Sequence, residues 1–354
     1  MKQPKILAAA TALPARRYTQ QEILEACAVA FPDLMRGPAH RGIFENAGVA
    51  ERYLAEPLPF YLESNGFETR NNAYLRHALA LSGAALRSCA ERAGLSLDAL
   101  SHLVSVTTTG LATPSLEARL AQEMSLPRSM ARTPIFGAGC AGGAVGLARA
   151  AEFLRGRPEG VAAVLSAELC SLCFDPAEPT LLKIVSAALF GDGAATVLLA
   201  GPDAEVGRPI AEVVASASFL IPDSLHVMGW DFTERGMRLL LSPDAMRVVE
   251  ENARQAVEPF LKSQGLGLQD VDLFLLHPGS LKIIESFERA LGLSCEDTRL
   301  SRDSLRRFGN LSSASVLFIL EEALRLRRPQ AGSHALLTAM GPGFSCEMSL
   351  LRFL

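Results

Sequence analysis

The chain of 354 residues repeats itself, and this repeat limits its fold more than any single motif does. Gly94-Leu95-Ser96-Leu97-Asp98 leads into the apolar run Leu103-Val104-Ser105-Val106. Gly265-Leu266-Gly267-Leu268-Gln269, 171 residues farther on, leads in the same way into Leu273-Phe274-Leu275-Leu276. Each match follows a long helical pattern and precedes a Ser-Leu pair, Ser115-Leu116 and Ser280-Leu281, where an amphipathic helix is expected to open. Gly139-Cys140 begins an Ala- and Leu-rich helical stretch to about Leu154, and Gly309-Asn310, 170 residues later, begins a similar one to about Leu324. Apolar strands are expected next, around Val161–Ser166 and Ala335–Thr338. Each half then closes on a turn and a last strand: Gly191-Asp192-Gly193 before Ala194–Leu199, and Gly341-Pro342-Gly343 before Met348–Phe353.

Helices alternating with short apolar strands argue an α/β fold with buried sheets. Two tandem copies argue two similar halves packed together, residues 1–205 and 206–354, divided near Pro202–Pro209. With 49% hydrophobic residues there is ample material for a core. The first apolar stretch, Lys5 to Leu13, is short and stops at Pro14, so it reads as a buried first strand rather than a signal peptide. No apolar run reaches the roughly 20 residues that span a bilayer. A net charge of −4 gives no reason to expect a nucleic-acid partner. Seven cysteines, an odd number without a dense framework, fit reduced thiols and a cytoplasmic location.

Three short stretches carry possible chemistry. Phe136-Gly137-Ala138-Gly139-Cys140-Ala141-Gly142-Gly143 places a cysteine at a glycine-rich entry to a helix, where backbone N–H groups and the helix dipole favour a thiolate. The plainer reading is a small residue packed beside glycines. His277 ends an apolar strand at Leu276-His277-Pro278-Gly279, a position where α/β folds build sites, although a lone histidine is more often structural. Asn310, in Phe308-Gly309-Asn310-Leu311-Ser312-Ser313, stands at a helix start and taken alone reads as an N-cap. Together they gain weight, because the repeat puts Cys140 and Asn310 at equivalent helix starts that a pseudo-twofold relation would turn toward one cavity. A cysteine nucleophile, a histidine and an amide donor suit acyl transfer and carbanion stabilisation. Cys170-Ser171-Leu172-Cys173 has CxxC spacing, but no second pair completes a zinc site and no early βαβ context supports a thioredoxin role. The glycine-rich segments match neither a phosphate loop nor a dinucleotide fingerprint.

These motifs resemble the type III polyketide synthases, the family of the plant chalcone synthases, over essentially the whole chain. Gly139-Cys140-Ala141-Gly142-Gly143, His277-Pro278-Gly279 and Gly309-Asn310-Leu311-Ser312-Ser313-Ala314 resemble the family's cysteine, histidine and asparagine motifs. Leu189-Phe190-Gly191-Asp192-Gly193-Ala194-Ala195 and Gly341-Pro342-Gly343-Phe344 match two more, in order. The resemblance implies the layered αβαβα thiolase sandwich and a homodimer. It implies acyl-CoA and malonyl-CoA as substrates, with no metal, no further cofactor and no carrier-protein arm. It makes Cys140 the nucleophile, has His277 and Asn310 stabilise the enolate left by malonyl decarboxylation, and puts Phe190 at the mouth between CoA tunnel and cavity.

Departures from the plant pattern mark the expected substrate cavity. Leu239 replaces a second gatekeeping phenylalanine, Cys170 and Cys173 replace threonines, and Trp230 replaces a glycine. Thr113 stands where plant enzymes carry a methionine that reaches across the dimer, and Thr108, Thr109 and Ser312 are placed with these residues against substrate. The basic cluster for CoA phosphates has only Arg41 and Arg52 as candidates. Met228-Gly229-Trp230-Asp231 resembles bacterial members that use fatty acyl starters, which implies an alkylpyrone or alkylresorcinol as product. Two other classes share part of the pattern: a ketoacyl synthase III-like enzyme making one condensation, and a non-catalytic partner subunit.

Overall fold

The computed structural model describes residues 2–177, 179–327 and 329–354. Its first half contributes strands β1 (Lys5–Ala12), β2 (Arg16–Thr19), β3 (Glu51–Leu54), β4 (His102–Val106), β5 (Ala131–Ile135), β6 (Val161–Leu169) and β7 (Asp192–Ala200). The second contributes β8 (Ala211–Leu220), β9 (Met228–Thr233), β10 (Gly236–Leu241), β11 (Leu273–Leu276), β12 (His334–Gly341) and β13 (Ser345–Phe353). Helices α1 (Gln20–Ala30), α2 (Pro38–Glu45), α3 (Leu58–Leu62), α4 (Phe67–Ala93), α5 (Leu116–Glu123), α6 (Gly142–Gly156) and α7 (Leu181–Leu189) lie in the first half. Helices α8 (Ala245–Ser263), α9 (Leu281–Leu291), α10 (Arg299–Phe308) and α11 (Ser315–Glu322) lie in the second.

Nine strands form one sheet in the order β11-β12-β13-β8-β1-β7-β6-β4-β5. The repeat is visible in this order, because β1-β7-β6-β4 and β8-β13-β12-β11 run through the same connections. In both halves the outer pair, β6·β4 and β12·β11, is parallel, and the strand beside it, β7 or β13, is antiparallel. The two half-sheets join at the start of β1, where Lys5 and Ile6 pair with Glu212 and Ala211 of β8.

Helices α6 and α11 pack between the half-sheets, α6 against β4 and β6 on one side and β12 and β13 on the other, α11 against β1 and β7 on one side and β11 and β12 on the other. Alternate residues of the strands settle the rest: Ala162 and Val164 of β6 face this central layer, while Val161, Ala163 and Leu165 face α4 and α5. In the second half Leu336 and Met340 of β12 face α8 and α9. The result is an αβαβα sandwich. The strands β6 and β7 are apolar with little alternation because both their faces are covered; all nine residues of each are buried. Ser280 caps α9 as its position predicted, its side chain accepting from the Ile283 N–H. Strands β9 and β10 form a separate hairpin, with Trp230 opposite Leu239, over the cavity described next.

Candidate active site

A cysteine at a tight helix entry needs a backbone that can come close to its neighbours. Gly139 has φ +50°, and a Cβ there would lie 2.4 Å from Cδ of Pro342, so the turn Gly139–Ala141 can pack on the Gly341-Pro342 turn only with glycine. A Cβ on Gly143 would lie 2.3 Å from the Ser313 carbonyl oxygen. The helix starts that the repeat made equivalent therefore meet backbone to backbone. Cys140 is buried beside this contact, with Sγ 3.6 Å from Oγ of Ser312. Ser312 itself takes a left-handed φ of 49°, a strained choice for a non-glycine residue.

Asn310 is held by its backbone, which donates to Leu189 O at 2.8 Å and accepts from Gly191 N at 3.0 Å across Phe190. Its side chain spans two segments: Oδ1 accepts from Ser312 N at 2.8 Å, and Nδ2 donates to Gly279 O at 3.0 Å. It does not cap a helix, since α11 begins at Ser315 after a 3-10 turn at Ser312–Ala314. His277 follows β11, its N–H bonded to Thr338 O at 2.8 Å. Its ring is buried behind Gly279, where a Cβ would lie 3.7 Å from Nε2, and both ring nitrogens lack a hydrogen-bond partner. Gly279 thus links the asparagine to the histidine.

Burial dominates the electrostatics. It pushes the Cys140 thiol up to about 11, against hydrogen bonds from Ser312 and Asn310 and with a smaller push from the Glu168 carboxylate. It pushes His277 down to about 3. The resting site thus holds a neutral thiol and a neutral imidazole, contrary to the thiolate expected from the glycine-rich helix start. A helix dipole contributes about 0.3–2 kcal/mol, less than desolvating a thiolate costs here. A neutral His277 with two unpartnered nitrogens is a hydrogen-bond donor rather than a cation.

Glu168, near the end of β6, is the residue that sequence reasoning missed. It is fully buried, and burial raises its carboxyl to about 7. Its oxygens accept from Thr108 N at 3.0 Å, from Thr109 Oγ1 at 2.7 Å and from Ser313 Oγ. The available signal was a carboxylate within the apolar run of β6, where an acid must find donors.

These residues open on a cavity of about 1450 Å³. Cys140, Asn310, Ser312 and Gly279 line it, and the His277 ring lies directly behind Gly279, which has no side chain to screen it. Phe190, Cys170, Cys173, Leu239, Trp230, Thr108 and Thr109 line it as well. The Trp230 indole donates to Thr108 Oγ1 at 3.2 Å, and the Cys173 thiol donates to Thr109 O at 3.4 Å.

Of the three remaining candidates, two are on the surface and one is buried. Thr113 is exposed in the loop before α5, outside the cavity of the chain. Arg41 is exposed on α2 and does not line the cavity. Arg52 is 1% exposed and cannot present itself to a CoA phosphate. Its Nη1 donates to the carbonyls of Ala187 at 2.5 Å and Phe190 at 3.0 Å, and its Nη2 to Ala188 O at 2.8 Å and to Gln20. It clamps the last turn of α7, where free carbonyls need donors. Among the described residues no trio of His, Cys, Asp or Glu is arranged to hold a metal ion, and no helix is long and apolar enough to cross a membrane.

The chalcone and stilbene synthase N-terminal domain model matches residues 60–203, and its C-terminal counterpart matches residues 212–354. A putative chalcone synthase of Bacillus subtilis (strain 168) is 36% identical, with 98% of each chain covered. The 1,3,6,8-tetrahydroxynaphthalene synthase of Streptomyces peucetius subsp. caesius is 39% identical over 98% of this chain and 93% of that one. The crystal structure of 1,3,6,8-tetrahydroxynaphthalene synthase from Streptomyces coelicolor A3(2), described as a bacterial type III polyketide synthase, superposes with a TM-score of 0.93 at 28% identity, with 99% of both chains covered. With a family match on both halves and relatives along its whole length, the chain belongs to the chalcone and stilbene synthase family and is a type III polyketide synthase, a condensing enzyme that uses malonyl-CoA.

Proposed function

We propose that this synthase loads a fatty acyl-CoA starter on Cys140, extends it with malonyl-CoA, and cyclises the product to an alkylpyrone or alkylresorcinol. Cys140 Sγ attacks the starter thioester, forming the acyl–sulfur bond as the bond to the coenzyme A sulfur breaks, and the Cys140 proton passes to that sulfur, which leaves as the thiol. Malonyl-CoA then loses CO₂, and the electron pair of the broken bond becomes an enolate. Hydrogen bonds from the neutral His277 ring and the Asn310 amide stabilise its oxygen. The enolate carbon attacks the acyl carbonyl and displaces the Cys140 sulfur. No metal, further cofactor or carrier-protein arm enters this scheme, and the working form is a homodimer.

The observation that carries the proposal is the cavity. It exceeds the roughly 300–1,000 Å³ of ordinary small-molecule sites, and Leu239, Cys170 and Cys173 make its wall apolar. Each buried methylene contributes about 0.8 kcal/mol, so several favour a long starter over acetyl-CoA by orders of magnitude. The test compares kcat/KM for acetyl-, hexanoyl-, lauroyl- and coumaroyl-CoA, with product masses, in the wild type and in Leu239→Phe. The expected result is a lauroyl preference that Leu239→Phe weakens. A wild-type preference for acetyl- or coumaroyl-CoA overturns the fatty starter, and products carrying a single extension favour the ketoacyl synthase III-like reading.

A further inference from the structure

We infer that Arg235, Asp175 and Arg70 are positioning residues for chain extension: they hold the tip of the β9–β10 hairpin on the body and so set where Trp230 and Leu239 stand in the cavity. The inference rests on the polyketide synthase activity alone and is independent of the starter. Among the described residues the two strands pair with each other and with no strand of the nine-stranded sheet. An isolated two-stranded hairpin is marginally stable in water, so its placement depends on anchors outside its own ladder. At its root Ser242 N donates to Val227 O at 2.8 Å, which closes the hairpin only on itself. In its middle the Trp230 indole makes its one bond to Thr108 Oγ1, at 3.2 Å.

The tip is held by far more. Segments remote in sequence meet there: Ser64 before α4, Arg70 near the start of α4, and Asp175 after the 3-10 turn at Cys170–Cys173. Arg235 Nε donates to Asp175 Oδ2 at 2.9 Å, and its Nη2 donates to Asp175 Oδ1 at 3.3 Å and to Ser64 Oγ at 3.2 Å. Arg70 donates through Nη2 to Arg235 O at 2.6 Å and through Nη1 to Phe174 O at 3.0 Å, with Asp175 3.8 Å away. A Cβ on Gly236, at φ +113°, would lie 2.8 Å from Phe67 Cδ2, so the tip backbone packs on α4 as closely as only glycine allows. One guanidinium thus fixes the main chain of the tip and another its side chain, around a shared carboxylate.

Stability alone does not account for this cluster. Arg70 is buried with its Nε unpartnered, and apolar residues would fill the same space with no ion to desolvate. Charge-assisted, two-pronged contacts supply a defined position instead. Trp230 stands four residues from Glu234 at the tip, about 13 Å along the strand, and opposite Leu239. Releasing the tip therefore tilts both side chains away from the cavity and leaves room for a longer chain. A misplacement of about 1 Å remote from the reacting atoms is enough to cost about 10² in rate. Chain extension meets this wall at every round, whereas malonyl decarboxylation at Asn310 and His277 does not.

Trp230 is the single tryptophan of the chain, so its fluorescence reports the hairpin directly. The experiment compares the wild type with Arg235→Met and Asp175→Asn by acrylamide quenching of Trp230, thermal melt and CO₂ release from malonyl-CoA. Product masses are read with malonyl-CoA and whichever of acetyl-, hexanoyl- and lauroyl-CoA the wild type turns over fastest. The expected result is a quenching constant raised at least twofold and a ratio of longer to shorter products raised fivefold or more, with CO₂ release within twofold of the wild type. Folded variants with wild-type quenching overturn the positioning role, and so does raised quenching with an unchanged or lower product ratio. A loss of CO₂ release as large as the loss of product overturns it too, because the damage then reaches the whole site. If Asp175→Asn does not fold, Arg235→Met, at a half-exposed side chain, decides by the same readings.

Discussion

Replacing Asn310 separates its structural from its chemical contribution. Its side chain makes two hydrogen bonds, one accepted from Ser312 N at 2.8 Å and one donated to Gly279 O at 3.0 Å. Asn310→Ala strands both buried partners, at about 1–3 kcal/mol each, so a loss of about 2–6 kcal/mol in stability is expected. Asn310→Asp keeps an acceptor for Ser312 N and loses only the donor. In the proposed scheme the second N–H of the Asn310 amide donates to the enolate, a hydrogen bond worth about 10²–10³ in rate, or about 2.7–4 kcal/mol. Both variants should therefore lose malonyl-CoA decarboxylation by that factor, while Asn310→Asp keeps more of the stability. The assay measures CO₂ release from malonyl-CoA alone, acyl transfer to Cys140 by intact-protein mass, and chemical unfolding. Starter loading should fall much less than decarboxylation. Wild-type decarboxylation by folded Asn310→Asp would refute the donor role and leave Asn310 as a brace between Gly279 and Ser312.

Cys140, with its thiol held near 11, should alkylate more slowly at pH 7.5 than exposed Cys295, and its rate should keep climbing through pH 9–10; a plateau by pH 8, read by peptide mass, would restore the resting thiolate. Arg52→Met strands the carbonyls of Ala187, Ala188 and Phe190 and should cost about 3 kcal/mol or more in chemical unfolding; an unchanged stability with a raised KM for malonyl-CoA would return Arg52 to a phosphate role. Glu168, raised from 4.5 to about 7, binds its proton more tightly in the folded state, so its contribution to stability declines as pH rises from about 4.5 to about 7. His277, lowered from 6.5 to about 3, acts in the opposite direction, its contribution growing as pH rises from about 3 to about 6.5. The difference between wild type and Glu168→Gln isolates the first effect: the wild type should lose stability relative to the variant between pH 5 and pH 7.5, and a pH-independent difference would show that Glu168 stays ionised.

Much of the architecture was legible because it is written as periodicity. The tandem repeat announced two α/β halves, and the structure has them as matching strand orders around one central helix layer. Cys140 and Asn310 could be paired because equivalent turns open equivalent helices, and backbone contact between Gly143 and Ser313 follows from the same symmetry. Helix caps such as Ser280 were legible for the same local reason.

What the tertiary structure decided depends on partners distant in sequence. Whether Arg52 meets solvent or four acceptors turns on the last turn of α7, some 135 residues away. A motif at a helix start reads as an activated thiolate, yet burial sets the thiol of Cys140, and burial is a property of the assembled cavity. Glu168 shows only as an acid in an apolar strand until Thr108, Thr109 and Ser313 surround it. Thr113 lies outside the cavity because its loop runs over the surface before α5. Sequence determines local periodicity, turns and residue chemistry; long-range packing determines which groups lose water, and with it charge state, hydrogen-bond partners and the shape of the cavity.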